Sequence, residues 1–404
     1  MRGSLPPCAL WRTLSVVSAS FLWLALPLVS VAAGFGWYFS SVLLRPDRSV
    51  RYPDRVRAVL DRRVWLARSR WAEQPGRWGL RWADGLAVVG PVSTGGADGQ
   101  RSDAVCRPLI GGQPPPPGAQ VVFEAGVYDP DPSVHGLDFV VAPVPTSLGT
   151  CPAWFVPPAD RDAASDTWAI TVHGRGADRR ECLRVLPCLH QLGYPVLAIS
   201  YRNDVGAPAS PDGYYHLGDT EWHDLASAAD YVLGTGARRL VLFGWSMGAA
   251  IVGAYLDRAP TASSVAAVVW DSPVLDWRAT LRRQAAVRKL PAMMAALAAM
   301  VTRARIGIDF DRFDLARRPP SVRPPTLLFH GTHDTAVPIE PARALAAVAT
   351  ELSWPLRYIQ VPEAEHTASW NVDPDNYQRM IAEFLMANAA PTPQPARWHD
   401  GRRE

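Results

Sequence analysis

Apolar residues along this chain follow three different patterns. From Thr13 to Leu44 they run with no charged residue at all (TLSVVSASFLWLALPLVSVAAGFGWYFSSVLL). About 20 apolar residues cross a bilayer, so this stretch is long enough to span one with some tilt. Trp11 at one end and Trp37 with Tyr38 at the other are suited to the two interfaces. The competing reading is a cleaved signal peptide with Val31–Ala33 as its small-residue site. The run continues past that site, which favours an uncleaved single-pass anchor in the cell membrane. Seven arginines between Arg45 and Arg63 follow the span and two precede it. That bias leans toward a cytoplasmic body, but large domains translocate despite such charges, so the side stays open.

Residues 45–118 form a second regime. An arginine-rich amphipathic segment (Arg55–Trp71) leads into a turn-rich, tryptophan-dotted stretch and then GGQPPPPG. Four consecutive prolines exclude helix and read as a stiff boundary. The expectation here is a small β-rich extension with no assignable chemistry, packed on the following domain or spacing it from the membrane.

From residue 119 to 388 the pattern alternates. Apolar, β-branched runs at Leu137–Ala142, Ala153–Val156, Trp168–Val172, Val196–Tyr201, Leu240–Phe243, Val265–Trp270, Thr326–Phe329 and Leu356–Val361 predict strands. Helical stripes lie between most of them, such as Trp222, Leu225, Ala226, Ala229, Val232 and Leu233. Short apolar strands separated by helices predict an α/β fold, a mostly parallel sheet covered on both faces. Residues 389–404, rich in proline and arginine, are expected to be disordered.

Composition changes this picture little. The net charge of +3 is small for 404 residues, and the basic side is arginine, with Lys289 the only lysine. No basic block interleaved with aromatics points to nucleic acid. The five cysteines form no CxxC pair and have no histidine at zinc spacing, so neither a metal nor a cofactor is expected. Cys182 and Cys188 stand six apart. Buried thiols are the default, with a disulfide across Pro187 the alternative.

The chemistry lies in four motifs, each after a predicted strand. Gly244-Trp245-Ser246-Met247-Gly248 follows LVLF and precedes the small-residue run AAIVGAY. G-x-S-x-G between strand and helix is a nucleophile elbow, a crowded turn that pushes the serine hydroxyl into the open. The others are HGRGAD (His173–Asp178), HGTHDTAVP (His330–Pro338) and AEHTASW (Ala364–Trp370). With these in this order, the chain from about Val121 to Leu385 resembles the α/β-hydrolase superfamily, in its prolyl-oligopeptidase-like and serine-aminopeptidase-like branch. The residues before Gly118 lie outside the shared fold.

The resemblance implies a catalytic triad of Ser246, Asp334 and His366. His333 competes as base and Asp271, at the end of the Val265–Trp270 strand, as acid. It also implies an oxyanion hole from the backbone N–H groups of Arg175 and Met247. For the Arg175 side chain two readings stand, an anion-binding role or an ion pair with Asp178 or Glu181. Two segments are candidates to shape the pocket: Asn203–His216, and an insertion at residues 275–325. The insertion holds an apolar helix with Met293, Met294, Leu297 and Met300, read as a pliable cap rather than a buried helix. The expected activity is a serine hydrolase acting on an ester, thioester or amide, foremost a carboxylic ester with a small-molecule or lipid-like acyl group. A peptidase, an acyltransferase or a non-catalytic membrane scaffold on the same fold are the alternatives.

Overall fold

The computed structural model describes residues 32–93, 103–126, 129–160, 164–391 and 393–394. Strands β1 (Asp54–Leu60), β2 (Arg63–Ala67), β3 (Trp78–Trp82), β4 (Gly85–Val89), β5 (Ala104–Gly112) and β6 (Gln120–Glu124) close into a barrel in the order β1-β2-β5-β4-β3-β6. Each strand alternates inward and outward residues, and Val56, Val64, Leu66, Trp78, Leu80, Val89 and Val121 fill the interior. The β-rich extension is therefore a closed barrel, and it runs further than expected. The prolines at 114–117 are a connection inside it, because β6 returns to pair with both β1 and β3.

An eight-stranded sheet carries the rest, ordered β15-β14-β13-β12-β10-β11-β8-β7. Its members are β7 (Val140–Thr146), β8 (Gly149–Val156), β10 (Thr167–Val172), β11 (Val196–Ala198), β12 (Arg239–Trp245), β13 (Val265–Asp271), β14 (Thr326–Gly331) and β15 (Leu356–Val361). The six from β10 to β15 are parallel, while β8 and β7 pair antiparallel at one edge. On β12, Leu240 and Leu242 point into one core, and Val241, Phe243 and Trp245 into the other. A central strand buried on both faces needs this unbroken apolar run.

Helix α1 (its described part, residues 32–44) precedes the barrel. Around the sheet lie α2 (Leu186–Gln191), α3 (Trp222–Gly234), α4 (Met247–Arg258), α7 (Glu340–Val348), α8 (Ser369–Val372) and α9 (Pro374–Asn388). Between β13 and β14 the insertion folds as α5 (Trp277–Val287) and α6 (Ala292–Ile306), packed on each other. This is the α/β-hydrolase fold with a helical cap.

Two terminal expectations fare differently. Most of the run from Thr13 lies outside the described residues, and its last part, α1, packs against the cap. Among the described residues no helix is long and apolar enough to cross a membrane. Of the tail expected to be disordered, Pro393–Gln394 (β16) pairs with Ala164–Ser165 (β9); the remaining tail residues past Pro391 lie outside the described ones.

Candidate active site

Ser246 sits between β12 and α4 with φ 52° and ψ −116°, a conformation that costs about 1–3 kcal/mol and persists only where the surroundings impose it. They do so closely. A Cβ on Gly248 would lie 2.1 Å from the Val172 carbonyl oxygen, and one on Gly244 2.7 Å from Ala249 Cα. Only glycine fits at either place, which explains both glycines of the motif.

His366 follows β15 in a half-buried loop. Its Nε2 lies 2.9 Å from Ser246 Oγ and its Nδ1 2.8 Å from Asp334 Oδ2. Asp334, buried after β14, also accepts from the Ala336 and Val337 amides at 2.8 Å each. Burial opposes the Asp334 charge, but His366 and His330, whose Nε2 lies 3.4 Å from the carboxylate, hold the carboxyl well below the usual range. Burial likewise opposes charging His366, and Asp334 outweighs it, so the ring titrates above the usual histidine range. This arrangement can take a proton from the Ser246 hydroxyl and hold the resulting imidazolium.

The competitors are elsewhere. His333 is exposed. Asp271 is fully buried behind the serine, where burial raises its pKa, and it accepts from Ser369 at 2.8 Å. His173 and His330 both brace buried polar groups: His173 Nε2 meets Asp204 at 2.8 Å, and His330 Nε2 lies 3.3 Å from the Val337 carbonyl.

The His173–Arg175 turn lies against the serine, since a Cβ on Gly174 would be 3.1 Å from Ser246 Cβ. Arg175 follows this turn, and Met247 follows the serine at the start of α4. The Arg175 side chain makes neither expected ion pair. It reaches the Val42 carbonyl of α1 at 3.5 Å, while Asp178 pairs with Arg180 and Glu181 with Arg184.

Sequence reasoning missed the supports of this turn. Glu181 Oε2 accepts the Gly174 amide at 2.7 Å, and its other oxygen accepts from Arg184 at 3.0 Å. Arg184 donates in turn to the Thr367 carbonyl, next to His366. A buried ion pair thus links the two loops that flank the serine. Glu365 does the same for the next pair of loops, accepting from the Thr335 amide at 2.7 Å and from Arg70, ahead of β3 in the barrel. The barrel also meets the residues after His366 directly, with Arg77 N donating to Asn371 O at 2.9 Å.

A cavity of about 270 Å³ opens over Ser246 and His366. Its walls include Phe39 and Leu43 of α1, Leu281 of α5 and Met294 of α6. Of the two candidate pocket segments, only the cap insertion lines it. Asn203–His216 instead seats α1: Tyr215 N donates to Leu44 O at 2.8 Å. The described cysteines Cys106, Cys151, Cys182 and Cys188 are free thiols, so no disulfide bridges Pro187. Burial pushes Cys182 up to about 12 and Cys188 up to about 11, which makes both poor nucleophiles.

Residues 184–391, just over half the chain, match the prolyl oligopeptidase family. The chain belongs to that family. It is a serine hydrolase. Residues 55–124, the barrel, match a separate domain of unknown function, DUF8805. The Salmonella typhimurium protein YfhR, itself uncharacterized, is 26% identical over 226 residues, covering 53% of this chain and 69% of its own. Among solved structures, the Pyrococcus furiosus esterase Pf2001 superposes with a TM-score of 0.50 at 21% identity, over 64% of this chain and 95% of that one. That likeness is one of fold.

Proposed function

We propose that this serine hydrolase cleaves carboxylic esters with a compact acyl group, using Ser246 as nucleophile, His366 as base and Asp334 as the acid that orients it. Ser246 Oγ attacks the acyl carbon as its proton passes to His366 Nε2, and the Arg175 and Met247 amides receive the oxyanion. The alkoxide leaves with the proton from His366. Water, deprotonated by the same nitrogen, then releases the acid and regenerates the serine.

The observation that carries this reading is the continuous contact from Asp334 through His366 to Ser246 at the floor of an apolar cavity. No aspartate or glutamate lines that cavity among the described residues, so a peptide's free ammonium would find no counter-charge there. Its volume of about 270 Å³ lies just below the range of ligand pockets, roughly 300–1,000 Å³. Peptide cleavage is the alternative that the family match favours. A panel of nitrophenyl esters of rising chain length against aminoacyl and prolyl anilides separates the two. Ester turnover with negligible anilide turnover is expected, and preferred anilide turnover would replace the ester reading.

The uncharged run from Thr13 supports an anchor, and the packing of α1 on the cap shortens it to residues 13–31. Those 19 residues still fall within the roughly 17–25 that cross a bilayer.

A further inference from the structure

Helix α6 is apolar on every side from Ala292 to Val301, yet only one side of it is covered. Ala295, Ala298 and Thr302 face inward, while Met293 and Met300 are 66% and 62% exposed. Helix α1 repeats the pattern. Gly36, Ser40 and Leu44 face the protein, and Phe35, Tyr38 and Val42 face out, with Tyr38 61% exposed. The two helices touch closely enough that a Cβ on Gly36 would lie 2.8 Å from Val301 Cγ2. Ser40 Oγ receives Thr302 and Arg305 at 3.1 Å each. Their outer sides therefore form one exposed apolar face, and a helix that is apolar all round is built for non-aqueous surroundings on both sides.

The charge of the two cap helices leans positive, although Arg278 pairs with Asp311 and Arg282 with Asp276 just outside them. From Trp277 to Ile306 the chain carries seven cations and no carboxylate, although acids and bases nearly balance over its whole length. Arg305 lies 4.2 Å from the Trp37 ring centroid and 4.6 Å from that of Tyr214. Tryptophan, tyrosine and methionine ringed by arginine suit the headgroup region of an anionic bilayer. The chain entering α1 is itself uncharged from Thr13 onward. Val42 and Arg288 are exposed and also line the cavity, so the opening lies at the edge of this face.

We propose that the outer face of α1 and α6 docks on an anionic lipid bilayer, and that the cavity over Ser246 takes its acyl substrate from that surface. The second half rests on the ester-hydrolase reading; the docking itself does not. Aromatic and methionine side chains enter the acyl boundary, cap cations meet anionic headgroups, and the substrate reaches the serine between Val42 and Arg288 without crossing water.

The test uses the full chain with Cys8→Ser and Cys106→Ser, carrying bimane at Met293→Cys, Met300→Cys or, as control, the exposed barrel position Leu60→Cys. Vesicles of phosphatidylcholine, with or without phosphatidylglycerol, contain acyl-chain spin labels, and hydrolysis of a soluble short ester is followed on the same samples. The labels at 293 and 300 should be quenched, more so with phosphatidylglycerol, while the label at 60 stays bright. Unquenched labels at 293 and 300 with soluble-ester turnover intact would overturn the docking face and leave the ester reading standing; a protein partner covering the face gives that result. Quenching without ester turnover would uphold the docking and remove the ester reading.

Discussion

Asp334 and Asp271 end neighbouring strands of one sheet, and their surroundings separate them. Asp334 keeps its charge because His366 and His330 face it and two amides donate to it, whereas Asp271 is buried with the hydroxyls of Ser272 and Ser369 donating to it. Asp334→Asn should therefore lower ester turnover by about four orders of magnitude through the wrong imidazole tautomer, and Asp271→Asn should keep most of it. Because Asp334 raises the pKa of His366, kcat/KM should fall with decreasing pH along a limb centred above about 6.5, the ordinary histidine value. In Asp334→Asn that limb should move to lower pH. Equal losses in the two variants would contradict the assignment.

His173 offers a stability reading at the same scale. Burial opposes its charge, but Asp204 outweighs this and raises its pKa to about 9, against about 6.5 unfolded. A raised folded pKa adds stability below pH 6.5 that is lost as pH climbs through 9. Thermal melts should show Tm declining over that window, and His173→Gln should flatten the decline. An unchanged slope in the variant would mean that another group titrates. Ser246, Asp334 and His366 were legible in the sequence because each stands in a motif directly after an apolar strand. Glu181, Arg184 and Glu365 were not, since their partners are fixed only by folding: Arg184 and Thr367 lie 183 positions apart.

At the scale of elements, the barrel is more than a spacer. Arg107, fully buried on β5, donates to the carbonyls of Gly90, Ala72, Gln74 and Gly76. The 72–76 stretch it holds abuts Asn371, where a Cβ on Gly76 would come 1.9 Å from the Asn371 oxygen. Arg107→Leu would leave four carbonyls without this donor, at about 1–3 kcal/mol for each one stranded in the interior. Hydrogen exchange should then rise through β1–β6 and extend into residues 365–371, with ester turnover reduced. Exchange confined to the barrel would show that it does not support the His366 loop. That residues 45–118 are β-rich was readable from their turn-rich composition, but the closure of the strands into a barrel was not. The four prolines suggested a boundary, and only the pairing of β6 with β1 and β3 shows the chain returning past them.

On the scale of the whole molecule, α1 joins what the sequence divided. An uncharged run reads as one segment, yet its last 13 residues, 32–44, wall the cavity and seat the cap. Hydropathy reports that a residue avoids water, not whether lipid or protein covers it. Deleting residues 1–31 should turn tight membrane attachment into weaker, salt-sensitive docking through α1 and α6, with turnover retained. Deleting residues 1–44 should also strip Phe39, Val42 and Leu43 from the cavity and weaken soluble-ester turnover. Equal activity in both truncations would remove α1 from the site, and membrane partitioning unchanged by the shorter deletion would remove the anchor.

The central claim is that Ser246 is the nucleophile, and covalent capture tests it most directly. After reaction of the full chain with a fluorophosphonate, mass spectrometry of its peptides should find one phosphonylated site, on Ser246. Ser246→Ala should abolish the adduct with the fold intact, and preincubation with a good ester substrate should delay it. An adduct on another residue, or undiminished labelling of Ser246→Ala, would contradict the account.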